Sequence, residues 1–364
     1  MKTMKSKLAV ALMAAGLSFN ALAADIKVGY AADPVSLDPH EQLSGGTLQM
    51  SHMVFDPLVR FTQKMDFEPR LAESWERIND TTVRFKLREG VKFHSGNTLT
   101  VDDVVWTFER LQSSPDFKNI FDPYEKIVKV DDNTFDLVTK GPYPLVLQTA
   151  TYIFPMDSKF YTGKTADGKD KSELVKHGNS FASTNVSGTG PFIVTSREQG
   201  VKVEFERFKD YWDKESKGNV DKLTLVPIKE DATRVAALLS GGVDMIHPVA
   251  PNDHKRVKDA DGIDLVTLPG TRIITFQLNQ NSNEALKDVR VRQAIVHAIN
   301  NEGIVKKIMK GFATAAGQQS PTGYVGHDDK LVPRYDLKKA KQLMKEAGYE
   351  NGLTLTMIAP NNRY

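Results

Sequence analysis

The segment from Val83 to Leu111 changes its hydrophobic period once, and this change restricts the class of fold. Apolar and basic residues alternate over residues 83–88, which is typical of a strand with one buried face. After a polar turn at residues 94–97, apolar residues recur at helical spacing. Thr100 and Asp103 have the N-cap and N3 spacing of a helix start. The segment therefore predicts a strand followed by an amphipathic helix.

The same mixture of periods continues along the chain. Further strands are predicted at residues 26–30, 91–93, 127–130, 135–138, 201–205, 222–228, 264–279 (with a break at Pro269-Gly270) and 353–358. Further helices are predicted at residues 48–58, 233–242, 288–311 and 336–348. Strands and helices that intermingle throughout a chain of 364 residues indicate an α/β or α+β fold, with enough length for two domains.

The first 23 residues have the pattern of a secretory signal peptide. A short basic region is followed by an apolar stretch at residues 8–17, which is too short to span a bilayer, and by the small-residue site Ala21-Leu22-Ala23. We expect cleavage after Ala23; a buried N-terminal helix is the alternative. The chain has no cysteine, so neither a disulfide nor a lipid on an N-terminal cysteine is available. These features predict a periplasmic protein held together by its hydrophobic core, without membrane insertion.

Net charge gives no reason to expect a polyanionic partner. The formal charge of the chain is +2, and removal of residues 1–23 leaves 45 basic against 46 acidic residues. A near-neutral chain predicts no binding to nucleic acid.

Five segments occur together in an order that resembles one known family. They are "SLDPH" at 36–40, "PRLAESWERINDTTVRFKLREGVKFHSGNTLTVDDVVWTFERL" from residue 69, "GTGPF" at 188–192, "DYWDKESKGNVDKLTLVPIKEDATRVAALLSGGVDM" at 210–245 and "DVRVRQAIVHAINNEGIV" at 288–305. In this order they are similar to the family 5 extracellular solute-binding proteins, the dipeptide, oligopeptide and nickel receptors of ABC importers. The resemblance covers essentially the whole chain after residue 23.

The resemblance implies a two-lobed fold of the type II periplasmic-binding-protein kind that encloses a ligand between its lobes. Lobe I would comprise residues 24–268, with a subdomain at about 61–182, and residues 269–364 would form a partial lobe II. Family members are longer, so lobe II is expected to be incomplete. A truncated gene or partial sequence, a domain fragment and a smaller functional variant are the three explanations.

The implied function is capture of a di- or oligopeptide by a monomer, which then delivers it to an inner-membrane ABC permease. Nickel, an oligosaccharide or an opine-like solute are alternatives within the family. No cofactor is expected. A periplasmic hydrolase is the alternative from another class, and a chaperone-like role is a third.

The resemblance also suggests ligand-binding residues. The loop after the first strand would line the cleft and offers Leu43, Ser44, Gly45 and Gly46, with an ordinary turn as the alternative. Arg363 lies where peptide receptors can carry a basic residue for the ligand carboxylate; a solvated terminal arginine is the alternative. Tyr124 is a candidate for an aromatic wall, with packing inside lobe I as the other interpretation.

Other chemistry has little support in the sequence. The pair Gly188 and Gly190 lacks the third glycine of a dinucleotide fingerprint, and "GKT" at 163–165 lacks the first glycine of a phosphate loop. There is no Gly-x-Ser-x-Gly. None of the eight histidines forms a helical i, i+4 pair, so no metal site is predicted, with a site assembled from distant segments as the alternative. The sequence predicts a protein that is not an enzyme.

Overall fold

A computed structural model describes residues 24–359 except positions 34, 177, 217, 269 and 325. The predicted signal peptide with its cleavage site after Ala23, and the candidate ligand residue Arg363, lie outside the described residues.

The described residues form strands and helices that alternate along the chain. The strands are β1 (Ala24–Tyr30), β2 (Val59–Phe61), β3 (Phe67–Pro69), β4 (Ala72–Asn79), β5 (Thr82–Leu87), β6 (Tyr124–Lys129), β7 (Thr134–Thr139), β8 (Phe192–Glu198), β9 (Lys202–Arg207), β10 (Val220–Pro227) and β11 (Met245–His247). The helices are α1 (Gly45–Val54), α2 (Val101–Ser113), α3 (Lys118–Phe121), α4 (Val146–Ala150), α5 (Ser158–Tyr161), α6 (Asp231–Leu239), α7 (His254–Lys258), α8 (Val289–Ala298), α9 (Asn301–Lys307) and α10 (Leu337–Glu346), with a 3-10 turn at Glu284–Lys287.

A five-stranded mixed sheet has the strand order β11-β1-β10-β9-β8. Strand β1 pairs in parallel with both β10 and β11, whereas β9 is antiparallel to β10 and to β8. The first strand of the chain is therefore an interior strand of the sheet. Its parallel partners end at the same edge, where the chain continues into the loop that leads to α1.

A separate four-stranded antiparallel sheet has the order β4-β5-β7-β6. The face predicted to be apolar on β5 is buried, since Val83, Phe85 and Leu87 are at most 3% exposed. Phe85 stacks on Phe135 of the neighbouring strand β7, with 5.4 Å between ring centroids. On the opposite face Arg84 pairs with Asp136 across the same strands. The alternation at residues 83–88 thus separates a hydrophobic core from a charged surface, as predicted.

Helix α2 covers the buried face of this sheet and begins as the sequence predicts. Oδ2 of Asp103 accepts a hydrogen bond of 2.9 Å from the Thr100 backbone N–H. Oδ1 of the same carboxylate accepts two more from Ser158, one from its N–H and one from its hydroxyl. Asp103 therefore stabilises the first turn of α2 and also joins it to the start of α5.

The "GTGPF" segment passes close to the end of helix α1. A Cβ atom at Gly188 would lie 2.0 Å from the carbonyl oxygen of Val54, and one at Gly190 would lie 2.5 Å from the Val54 carbonyl carbon. The N–H of Gly190 donates to the same oxygen at 2.8 Å. Because neither glycine has a side chain, this segment can hydrogen-bond directly to the backbone at the end of α1. The role of the two glycines is therefore packing and not phosphate binding.

His94 joins its turn to the same segment. Its Nε2 lies 3.0 Å from the carbonyl oxygen of Gly190, and its Nδ1 lies 3.4 Å from the Gly188 nitrogen. A carbonyl needs a donor and an N–H needs an acceptor, so these contacts fit the neutral imidazole with its proton on Nε2. Burial lowers the pKa of His94 to about 4, although the hydrogen bond to Gly190 opposes this change.

The sequence predictions after residue 262 are partly wrong. The helix predicted over 288–311 is two helices, because the chain leaves helical geometry at Ile299 and Asn300 then caps α9 by accepting from the Gly303 N–H. The described residues of 264–279 and 353–358 form no strands. A strand needs a paired neighbour, and among the described residues neither segment has one. Their apolar side chains are exposed accordingly, 57% for Phe276 and 94% for Ile358.

The short strand predicted at residues 91–93 is also wrong, since in the described structure only an isolated bridge between Lys92 and Thr98 forms there. The five-stranded mixed sheet, the four-stranded antiparallel sheet and the helices that follow their strands confirm the α/β class. Among the helices that the structure describes, none has the length and apolar character needed to cross a membrane.

We expect Gly188→Ala to lower the free energy of unfolding by about 2 kcal/mol or more, since the new methyl group would overlap the backbone of Val54. Urea denaturation followed by tryptophan fluorescence would measure the loss. Gly141→Ala is the matched control, because a Cβ at Gly141 meets no atom within 4 Å. Equal urea midpoints for Gly188→Ala and Gly141→Ala would contradict the close approach of residue 188 to the Val54 backbone.

Stability should fall as the pH drops from about 6.5 towards 4. The pKa of His94 is lower in the folded protein than the ordinary value of 6.5, so the unfolded chain binds the extra proton first in this window. This residue alone should then cost at most about 1.4 kcal/mol per pH unit. The test is an NMR titration of the His94 ring together with urea midpoints at pH 7, 5.5 and 4. A ring that titrates near 6.5 would contradict it.

Candidate functional site

The loop predicted to line the cleft follows β1 and ends in the first turn of helix α1. Ser44 is the N-cap of α1, and its hydroxyl oxygen accepts from the Thr47 N–H at 3.4 Å. Gly45 and Gly46 are the first two helical residues. Leu43, which precedes them, exposes 40% of its surface. The four predicted residues are thus adjacent and accessible, and the two glycines belong to a helix start and not to a free loop.

A buried ion pair fixes the start of this loop. Arg110 of α2 donates from both terminal nitrogens to Asp38, at 2.8 and 2.5 Å, and both side chains are at most 4% exposed. Burial alone would raise the pKa of Asp38, but the charge and hydrogen bonds of Arg110 hold it below the ordinary value. The carboxylate is therefore ionised, and the paired charges hold the loop against α2.

His40 adds a second connection between the loop and α2. Arg110 Nη1 lies 3.1 Å from the His40 Nδ1, and the Ser114 hydroxyl donates to the His40 carbonyl oxygen at 2.8 Å. Burial and the charge of Arg110 lower the pKa of His40 to about 3. The ring is thus neutral at ordinary pH, and its Nδ1 can accept from the guanidinium.

Asp116 holds the exposed end of the loop. Its carboxylate accepts from the Leu43 N–H at 3.2 Å and pairs with Lys176 at 2.5 Å. The hydrogen bond from Lys176 lowers the pKa of Asp116. Nearby, Tyr152 packs edge-on against Phe117, and its pKa is raised by burial and by the phenol of Tyr324. Tyr152 is therefore close to a residue of the later part of the chain.

The other side of the loop meets three residues that we call the strand-end corner: Tyr30, His247 and Arg272. Tyr30 and His247 end the parallel neighbours β1 and β11, and their rings stack with 5.8 Å between centroids. A Cβ at Gly46 would lie 3.8 Å from the Tyr30 hydroxyl, and one at Gly45 would lie 3.2 Å from the Arg272 Nη2. Ligands of α/β proteins commonly bind beyond the carboxyl ends of parallel strands.

Tyr124 does not take part in this site. Its side chain is fully buried in the core of the four-stranded sheet, where its ring contacts those of Phe108, Phe121 and Tyr143. The structure thus corresponds to the packing interpretation and not to an aromatic wall. Arg363 is outside the described residues, so its role stays a prediction.

Sequence reasoning missed the strand-end corner and Asp116. Tyr30 and His247 could have been noticed as the last residues of two strands, but nothing in the sequence indicates that those strands are neighbours. Arg272 lies in a segment predicted as a strand, and no pattern in the neighbouring residues indicates that it lies close to Gly45. No cluster of three or more histidine, aspartate or glutamate side chains arranged to hold a metal is found among the described residues.

A separate pocket of about 330 Å³ is lined by charged side chains, among them Asp56, Arg70 and Asp213. Arg70 binds Asp56 at 2.8 Å and Asp213 at 3.0 Å, and Asp56 also accepts from the Trp212 indole N–H at 2.8 Å. Arg60 pairs with Glu68. This arrangement joins the residue 211–213 segment to the chain beside β2, and it is a structural link rather than the candidate site.

A five-stranded mixed sheet with a loop and a helix start at the carboxyl ends of its parallel strands has the architecture of an α/β ligand-binding protein. Residues 66–364 match the family described as bacterial extracellular solute-binding proteins, family 5 middle, and the chain belongs to this family. The resemblance inferred from the five sequence segments is confirmed.

Known relatives are similar over nearly the whole chain. The dipeptide-binding protein of Escherichia coli is 28% identical over 97% of this chain and 69% of its own length. A glutathione-binding protein of Pectobacterium atrosepticum is 28% identical over 93% of this chain and 64% of its own length. The chain thus spans about two thirds of the length of these relatives.

A solved structure supports the fold. The periplasmic binding protein of Helicobacter pylori in complex with the peptide STSA is 26% identical, with a TM-score of 0.75 over 90% of this chain and 67% of that one. This likeness confirms the predicted type II periplasmic-binding-protein fold. The family is extracellular, and the relatives named here are binding proteins.

We expect Arg110→Met to lower the free energy of unfolding by about 3–5 kcal/mol, because it leaves the Asp38 carboxylate buried without its partner. The double variant Asp38→Asn with Arg110→Met should recover part of this loss. Urea denaturation measures both.

Arg84→Met is the matched control for Arg110→Met. Arg84 also donates two hydrogen bonds to one carboxylate, Asp136, but 41% of its side chain is exposed. Solvent screens such a pair, so this variant should lose clearly less stability. Equal losses for Arg84→Met and Arg110→Met would show that burial of the Asp38 pair is not decisive.

Proposed function

We propose that this protein captures a small peptide between lobe I (residues 24–268) and lobe II (which begins at residue 269), and delivers it to an ABC importer. The observation that carries the proposal is the loop at residues 43–46. It is fixed by the buried Asp38 and Arg110 pair on one side, and it meets Arg272 of the later part of the chain on the other. A ligand held at this loop would contact both parts of the chain.

The named relatives support a peptide. A dipeptide-binding protein and a glutathione-binding protein match over most of the chain, and the H. pylori structure holds a peptide. Peptides present a backbone, an amino group and a carboxylate, so a receptor needs a few fixed polar groups in a partly apolar cleft. The loop, Asp116 and the strand-end corner provide such groups. Nickel, an oligosaccharide or an opine-like solute are the alternatives.

The proposal is capture without reaction. Ser95 illustrates why a hydrolase has less support: its hydroxyl donates to the Asp157 carboxylate at 2.5 Å, while the adjacent His94 is occupied by the backbone of Gly188 and Gly190. A serine nucleophile needs a base that removes its proton, and at Ser95 this role is not filled by His94. We further propose a monomer that acts in the periplasm after cleavage at Ala23.

The test is isothermal titration of the purified protein with alanyl-leucine, trialanine, glutathione and a nickel–histidine complex. We expect a peptide to bind with a dissociation constant in the micromolar range or below, and mass spectrometry should recover it unchanged. Recovery of cleaved peptide would favour the hydrolase. Binding of the nickel complex alone, or of no probe, would overturn the proposal.

A matched pair of variants ties binding to the loop. Gly45→Leu would place a side chain into the space beside Arg272, whereas Gly141→Leu enters open space. We expect the first variant to weaken peptide binding by about tenfold or more and the second to leave it unchanged, with both proteins folded by circular dichroism. Equal peptide affinities of the Gly45→Leu and Gly141→Leu variants would show that the peptide site does not include this loop.

A further inference from the structure

The turn after helix α10 contains the one Asn-Gly sequence of the chain, Asn351-Gly352. The Gly352 N–H donates to the carbonyl oxygen of Tyr349 at 3.0 Å, which closes a turn of four residues with Asn351 in its third position. Gly352 has a φ of +105°, a backbone conformation that favours glycine. Both residues of the pair are exposed, so water reaches the turn.

No neighbouring element covers this turn within the described part of the chain. A Cβ placed at Gly352 would meet no atom within 4 Å. The Asn351 side chain forms no hydrogen bond with another described residue. Residues 353–358, which follow, form no strand and so do not hold the turn in a sheet. The turn can therefore open locally at low cost, and the Asn351 side chain can move against the backbone after it.

We propose that Asn351 is a site of spontaneous deamidation, with water as the only other reactant. The Gly352 backbone nitrogen loses its proton and attacks the side-chain amide carbon of Asn351. A new C–N bond forms, the bond to the side-chain NH2 breaks, and that group takes up the proton and leaves as ammonia. Water then opens the five-membered succinimide at either carbonyl and gives aspartate or isoaspartate. No electrons are exchanged, so neither an oxidant nor a reductant is needed.

Glycine at position 352 makes this asparagine more reactive than others in the chain. Because glycine has no Cβ, the amide carbon can approach its nitrogen without a clash. Asn281 provides a matched comparison, since it is exposed and is followed by Ser282. Its turn is closed in the same way, by the Ser282 N–H and the carbonyl oxygen of Asn279 at 3.2 Å. The two turns therefore differ chiefly in the side chain that follows the asparagine.

Two Asp-Gly sequences share the glycine but lack the amide. At Asp167-Gly168 the carboxylate is held by the Thr165 hydroxyl and by Lys169, and these contacts lower the pKa of Asp167. Ring closure there would have to expel an oxygen from an ionised carboxylate, which is a poorer leaving group than ammonia. Asp261-Gly262 has the same chemical limit. The reaction is therefore expected first at Asn351.

The modification would change the end of α10 in two ways. It places a new carboxylate next to Glu350, which already pairs with Lys345 at 2.9 Å, and close to the negative end of the helix dipole. The isoaspartate form also adds one carbon atom to the backbone between α10 and residues 353–358. The modified protein carries one more negative charge, so it should separate as an acidic form on isoelectric focusing.

The experiment incubates the folded protein in mildly alkaline buffer, in ordinary water and in water labelled with oxygen-18. The tryptic peptide of residues 346–363 is then followed by mass spectrometry, and fragment ions place any change. We expect residue 351 to gain about 1 Da in ordinary water and to incorporate labelled oxygen in the other sample. The rate should rise with pH, because the deprotonated nitrogen is the nucleophile. Asn281 should convert about tenfold more slowly or less.

Asn351→Gln is the matched variant, because glutamine keeps the amide but would need a six-membered ring. It should show neither conversion at this position nor the acidic form. The protein unfolded in urea gives the rate without structure, and the folded protein should react within about tenfold of it.

Conversion in urea but not in the folded protein would overturn the proposal, as would equal conversion at Asn281 and Asn351. The chemistry needs no bound solute, so a failure of peptide binding would leave it standing.

Discussion

The buried pair of Arg110 and Asp38 is the contact on which the rest of the candidate site depends. The loop after β1 buries Leu37 in a hydrophobic core, but it must also reach helix α1 with a defined shape. Two charge-assisted hydrogen bonds from α2 fix its start, and the neutral His40 ring accepts a third contact from the same guanidinium. Because α2 also covers the four-stranded sheet, the loop takes its position from the core of that sheet.

A similar arrangement recurs where other segments meet. Asp103 joins the starts of two helices, Asp56 joins Arg70 to Trp212, and the N–H of Gly190 binds the last turn of α1. In each case one polar group that would be costly to bury alone is satisfied by a partner distant in sequence. The packing between sheets is therefore specified by directional contacts in addition to apolar surface.

The sequence predicted the features that depend on local physics. Strand β5 and helix α2 follow from alternation, helical spacing and the Thr100 and Asp103 pair, which all act within a few residues. The prediction of strands at 264–279 is wrong because a strand depends on a paired neighbour as much as on its own residues. Tyr124 was ambiguous for a related reason: an aromatic residue after a short helix has the same pattern whether its ring contacts solvent or three other rings.

The candidate site itself was only partly predictable. Leu43 to Gly46 could be proposed from their place after the first strand, but their role as a helix start depends on Ser44 acting as N-cap. The strand-end corner could not be found, because Tyr30 and His247 become neighbours only through the parallel pairing of β1 with β11. The position of Arg272 close to this corner is set by the path of the later chain, and no spacing of residues in the sequence predicts it.

The interior position of β1 has a consequence for the order in which the protein folds. The strand made first is paired on both sides by strands that end at Pro227 and His247, so the five-stranded sheet cannot close until most of lobe I has been synthesised. Contacts of such long sequence separation form slowly. Strand β1 therefore stays without its two sheet partners until the segments that form β10 and β11 have been synthesised.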